Sequence, residues 1–147
     1  MLYFLVIASK ESAVLFTHRF NPQLCPCHPA GLASVIEKCM VDSRTEKPEN
    51  FVEDTNESRT LVYRWFGACM LIASADSDDN LLQVYEFLNL YLSALSQYFP
   101  NLSRHTIIQN PAKLHIVLEE MVIGGVIVET SPAHALSIVR LLDDINV

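Results

Sequence analysis

The sequence predicts an α+β domain, a five-stranded antiparallel sheet flanked by helices. Two observations carry this. Extended apolar runs follow one another closely at residues 1–8 and 13–20, and again at 59–65 and 67–75, as hairpin strands do. From Leu81 onward, apolar residues recur instead at helical spacing, so most of the helix lies apart from the strands.

The elements follow in order. Residues 1–8 are too continuously apolar to show alternation, which suits a strand buried on both faces. Lys10-Glu11-Ser12 turns the chain into a second strand over 13–20. Residues 21–29 hold three prolines and cannot be regular structure. Pro29 suits a first helical turn, and Leu32, Val35, Ile36, Cys39 and Met40 then form one apolar stripe. Residues 43–58 are mostly polar loop, interrupted by a brief strand at 51–53. Two strands, 59–65 and 67–75, pair through a tight connection near Phe66. A polar turn at 76–80 places anions and a cap at a helix start. Leu81, Val84, Tyr85, Leu88, Tyr91, Leu92, Leu95, Tyr98 and Phe99 keep helical register until Pro100 stops it. Asn110-Pro111 opens another helix, with Leu114, Val117, Leu118 and Met121 as its stripe and Gly124-Gly125 as its stop. Ser131-Pro132 opens a last helix through Leu142, with Leu136 and Val139 inward.

Composition narrows the function. At 147 residues and 50% apolar, the chain suits one domain, 1–147, with a core that needs no staples. Disorder, a collagen-like fibre and a disulfide scaffold are excluded. Ten basic residues, scattered singly against seventeen acidic ones, give a net charge of −7, which repels nucleic acid and anionic membrane. Residues 1–8 lack a basic flank and end at Lys10, and no run reaches the ~18 apolar residues of a spanning helix. The chain therefore reads as cytosolic and leaderless, with reduced cysteines. So few charges on so apolar a chain point to a face kept for a partner.

Chemistry finds little foothold. Cys25, Cys27 and His28 are close enough to supply zinc ligands, with Cys39 as a fourth, but C-x-C is tighter than common zinc spacing. The bland alternative is a proline-stiffened loop. His18, His28, His105, His115 and His134 sit in no hydrolase or protease motif and read as surface or half-buried residues. Glu119 and Glu120 point about 100° apart on a helix, unlike an acid/base pair. Four glycines allow no phosphate-cradling loop. No catalytic residue, metal or cofactor is assigned, and a binding surface is the expected active face.

Lys113-Leu114-His115-Ile116-Val117-Leu118-Glu119-Glu120-Met121-Val122, followed by Gly124-Gly125-Val126-Ile127-Val128-Glu129-Thr130, resembles the signature of the small (sigma) subunits of clathrin-adaptor complexes. That signature is a helix ending in glycine, then a short extended stretch closing on Glu-Thr. Leu61 to Phe66 resembles the family's Tyr-Arg strand, Asp78 to Leu81 and Tyr98-Phe99 the ends of its main helix, and Met1 to Leu5 its first strand. The resemblance spans nearly the whole chain and is diffuse between Asn21 and Asn50. The segment from Met121 to Thr130 looks nearest to the third and fourth adaptor types.

The resemblance implies a longin-like fold and a non-catalytic role in a heterotetrameric vesicle-coat adaptor. Its partners would be a large solenoid subunit, which encloses the small one, and a medium subunit. It also implies a pocket for acidic dileucine signals on cargo tails, formed here by Gly67 and Cys69 on a strand, Leu92 on the long helix, and Asn101 and Leu102 beyond it. An apolar slot with a few polar groups suits a leucine pair. Membrane attachment, at Golgi, endosome or coated vesicle, would come only through the complex. Two departures lower the positive charge facing such a signal: Leu15 replaces a frequent basic residue, and the family's Arg-Arg doublet is Arg64-Trp65. The alternatives are a coatomer zeta-type subunit, a free-standing longin regulator of a SNARE or GTPase, and a small cysteine or zinc enzyme using Cys25, Cys27 and His28.

Overall fold

The computed structural model describes residues 1–20, 29–54 and 58–145. Strand β1 (Leu2–Ser9) turns back into β2 (Val14–Arg19), helix α1 (Pro29–Ser43) follows, and then come β3 (Phe51–Asp54), β4 (Arg59–Phe66) and β5 (Cys69–Asp76). All five strands pair antiparallel, as the sequence predicts, and the structure sets their order as β2-β1-β5-β4-β3. The interior position of β1, between β2 and β5, explains its unbroken apolar run. Phe4, Val6 and Ala8 face α1, while Leu2, Leu5 and Ile7 face the opposite layer. A register slip between Leu2 and Phe4 puts an even-numbered and two odd-numbered residues on one side.

The second layer begins with α2 (Leu81–Tyr98), whose first turn is capped by Asn80, its side chain accepting from the N–H groups of Leu82 at 3.1 Å and Gln83 at 3.3 Å. Every position of the expected stripe is buried or half-buried, and Phe87 and Ala94 widen it. Helices α3 (Arg104–Gln109), α4 (Pro111–Met121), α5 (Pro132–Ala135) and α6 (Ser137–Ile145) complete the layer. Tyr91 ties α2 to α4 by donating its buried hydroxyl to the Leu114 carbonyl at 3.0 Å.

Several local readings are corrected. Helix α4 stops at Met121, not at the glycine pair, and β6 (Val122–Ile123) pairs with β7 (Val126–Ile127) across Gly124-Gly125. Both glycines have positive φ, +59° and +85°, as a two-residue hairpin turn between β-branched residues requires. A Cβ on Gly125 would stand 2.6 Å from the Leu2 carbonyl oxygen, so the hairpin can lie against β1 only with glycine there. Helix α3 was not foreseen. Asn110, expected to cap α4, instead donates its side-chain amide to the Thr106 carbonyl of α3 at 2.8 Å. The last helix breaks at Leu136, where the Ser137 hydroxyl donates to the His134 carbonyl at 2.7 Å, although Leu136 and Val139 do point inward. Gly67 lies in the β4–β5 turn at φ +55° rather than in a strand.

Candidate functional site

Cys69, Leu92 and Leu102 belong to one hydrophobic cluster on the α2 side of the sheet. Cys69 opens β5, opposite Ser9 of β1 and Phe66 of β4, and is 3% exposed. Leu92 lies on the inner face of α2 at 4%. Leu102, in the link between α2 and α3, is half-buried against the same cluster. Gly67 and Asn101 are exposed. A Cβ on Gly67 would meet nothing within 4 Å, so the backbone conformation, not crowding, calls for glycine. The Asn101 carbonyl is occupied, accepting from the Thr106 hydroxyl at 2.8 Å.

The electrostatics of this corner depend on a residue that sequence reasoning passed over. Arg104 opens α3 and reaches Glu11, in the β1–β2 turn, at 3.4 Å. Burial pushes the Cys69 thiol up; the Arg104 charge opposes that shift and Glu11 adds to it. Arg104 is tied to the β1–β2 turn, whose Lys10 N–H donates to the Ala68 carbonyl just before β5 at 2.9 Å, so α3, β5 and the first turn meet at one corner. The available signal was Ser103, whose side chain accepts from the Thr106 N–H at 3.3 Å as a helix cap. Leu15 is half-buried against the α2-side cluster and brings no charge. Strand alternation puts Arg64 on the face of Val62 and Phe66, toward α2, and Trp65 on the other face.

Cys25, Cys27 and His28 lie outside the described residues, so the zinc or cysteine-enzyme alternative has no geometry to rest on. Cys39, its fourth candidate ligand, is fully buried on α1. Burial, with Asp42 and Asp54 adding and Lys38 opposing, pushes its thiol up to about 12, so it packs in the core as a neutral thiol.

Other surfaces stand out. An open groove of about 540 Å³ runs between α1 and the edge strand β3, with Val41 and Val52 among Glu37, Asp42 and Glu53. A smaller cavity of about 210 Å³ lies among Met1, Asn80, Gln83 and the β6–β7 hairpin. Ile138, Leu141, Leu142 and Ile145 form an exposed apolar stripe along α6, and Ile123, Val126 and Val128 are exposed on and after the hairpin. No described helix is long and apolar enough to cross a membrane.

Comparison with known proteins gives a consistent result. A family model described as the clathrin adaptor complex small chain matches residues 1–146. The AP-4 complex subunit sigma of Arabidopsis thaliana is 35% identical over 109 residues, 74% of this chain and 73% of its own length. The human AP-4 complex subunit sigma-1 is 33% identical over 112 residues, 76% and 75% of the two chains. The AP-1 complex subunit sigma-1 of Schizosaccharomyces pombe is 32% identical over 136 residues, 92% and 82% of the two. Among structures, a chain of a homology model of the full-length AP-3 complex in a stretched open conformation superposes with a TM-score of 0.73. That superposition covers 99% of this chain and 95% of the other at 17% identity, a likeness of fold.

Proposed function

The chain belongs to the clathrin adaptor small-chain family, and on that premise we propose that it is the sigma-type small subunit of a heterotetrameric vesicle-coat adaptor in intracellular protein transport. The family match along residues 1–146 carries this reading. Its role is structural rather than catalytic, and residues 1–147 act as a single domain. A large solenoid subunit covers it, a medium subunit completes the assembly beside it, and the complex holds it on Golgi, endosomal or coated-vesicle membranes. The stripe on α6 supports a covered surface: four large apolar side chains facing water are costly unless a partner takes them up.

Cargo recognition is the finer part of the proposal. Cys69, Leu92 and Leu102 supply apolar lining for a dileucine pair, and Gly67 and Asn101 stand at the rim. Since Cys69 and Leu92 are closed over, a leucine enters by displacing Leu102 and its link. Arg104 takes the part that Leu15 leaves vacant, a cation beside the slot for the acidic residue of the signal, and Glu11 is the anion it must leave.

Two experiments test this. Affinity purification of the tagged chain from cells should recover a large and a medium adaptor subunit in equal amounts; recovery as a lone, stable monomer rejects the subunit role. In the assembled complex, Leu102→Ser should weaken binding of an acidic dileucine peptide about tenfold, since it removes an apolar contact of ~1–2 kcal/mol. Arg104→Glu should weaken binding less, and most at low salt. Unchanged affinity in both variants rejects the slot while leaving the assembly role standing.

A further inference from the structure

Among the described residues, His18 and His115 form a contact that neither the fold nor the cargo proposal uses. His18 is on the edge strand β2 and His115 is on α4, and their Nδ1 atoms lie 2.7 Å apart. The rings sit 5.0 Å centroid to centroid, with Phe16 4.5 Å from His115 and Phe20 4.8 Å from His18. Both imidazoles are half-buried in this aromatic setting. We propose that the His18–His115 pair is a proton-operated latch, pinning edge strand β2 to α4 when neutral and releasing it when both rings are charged.

The proton count makes the device. With both rings neutral, one Nδ1–H donates to the lone pair of the other Nδ1. A first added proton leaves this bond intact, because an imidazolium Nδ1–H still faces a neutral acceptor. A second proton removes the acceptor: two N–H donors and two positive charges then oppose each other at hydrogen-bond distance, and the contact must open. The two protons therefore bind to the pair in coupled steps rather than to two independent rings.

The surrounding charges set where this happens. Burial lowers the tendency of both rings to protonate, and for His18 the charge of His115 lowers it further. Glu119, one turn beyond His115 on α4, raises it for both. Arg19 projects to the other face of β2 by strand alternation. Of the neighbouring helices, α3 carries Arg104, turned to Glu11, and exposed His105. From α6, Asp143 is engaged by Lys113 and Tyr98, while Arg140 and Asp144 are exposed. Because the folded rings take up protons less readily than unfolded ones, the contribution of the latch is complete above the ordinary histidine value. It is lost as the pH falls below about 6.5.

The test is hydrogen exchange of the β2 amides in the full chain at pH 7.4 and 5.0, corrected for the intrinsic change in exchange rate. In the wild type, β2 should open at least about tenfold more in acid, while the central strand β5 stays protected; a gap of one unit in proton affinity is a tenfold effect. His115→Gln should remove this acid-specific difference, since glutamine keeps a polar group and does not titrate. Equal protection of wild-type β2 at both pH values, or the same acid response in His115→Gln, overturns the proposal. A histidine NMR titration of the wild type gives the check that needs no variant. Coupled steps below the ordinary histidine range support the latch, and two independent titrations near 6.5 overturn it.

Discussion

Among the described residues, five helices make up the layer on the α2 side of the sheet, whereas the α1 side carries a single one. The thick side is almost wholly apolar, drawing on β1, β4, β5 and every helix from α2 to α6. The thin side buries a smaller cluster around Phe4, Ile36, Leu61 and Tyr63 and relies on charge at its margin. There Asp54, 2% exposed on β3, accepts from Lys38 of α1 at 2.8 Å and from Arg59 of β4 at 3.0 Å. The Arg59 guanidinium also lies 5.2 Å from the centre of the Phe4 ring. Burial of apolar area is insensitive to pH and cheap in specificity; a buried carboxylate clamp fixes which elements meet and makes the thin side acid-labile. Acid therefore reaches the two layers in different ranges: the thick one at the His18–His115 contact, below about pH 6.5, and the thin one through Asp54, below about pH 4.

The sharpest way to break this comparison is the same truncation on each face. Leu88 on α2 and Leu61 on β4 are both fully buried. Leu88→Ala should cost near the top of the range of about 2–5 kcal/mol, because helices and sheet hold its surroundings from all sides and the cavity stays open. Leu61→Ala should fall near the bottom, since α1 alone covers it and can settle inward. Urea unfolding of both variants measures the gap, and equal costs would mean the thin layer is as rigid as the thick one.

Next in size, Asp54→Asn should cost about 3 kcal/mol by leaving Arg59 buried without its anion. Its pH signature sharpens the contrast. Burial pushes the Asp54 carboxyl up, but the hydrogen bonds and charges of Lys38 and Arg59 outweigh this and hold it below its usual value. A carboxylate depressed in the folded state stabilises above the unfolded value and loses that contribution as pH falls through the folded one. Wild-type stability should therefore drop below about pH 4, and Asp54→Asn should flatten that drop while Leu88→Ala leaves its slope unchanged.

What the sequence made legible divides along the same line. Strands β1, β2, β4 and β5 and helix α2 were readable because long apolar periods leave one consistent solution, and the end of α2 was marked by Pro100. Shorter elements were not. Helix α3 spans six residues with one buried side chain, Ile107, so it has no stripe to detect, and its cap Ser103 was the only mark. Gly124-Gly125 satisfies a helix stop and a hairpin turn alike; the docking of the Gly125 carbonyl onto the Leu2 N–H at 2.7 Å, a contact distant in sequence, decides for the hairpin. For the same reason the His18–His115 pair was invisible: ninety-seven residues separate its members, and neither carries a local motif. Of the cargo positions, Leu92 was readable as core from its spacing alone. The tie between Arg104 and the corner around Cys69 depends on α3 and had no trace in the pattern.

The smallest expected effect concerns Gly67, where the comparison narrows to two turns. Gly67 and Gly125 both adopt positive φ, yet only Gly125 has a neighbour in the way of a side chain. Gly67→Ala should cost only the left-handed backbone penalty, about 1 kcal/mol, because its surroundings are open. Gly67→Asn should recover most of this, since asparagine tolerates that conformation. Gly125→Ala adds a collision with the Leu2 backbone and should cost more, by forcing the β6–β7 hairpin away from β1. Thermal unfolding of the three variants separates the cases. If Gly67→Asn restores stability but still weakens dileucine-peptide binding in the assembled complex, Gly67 serves cargo by leaving room at the rim; if it restores both, Gly67 serves only the turn.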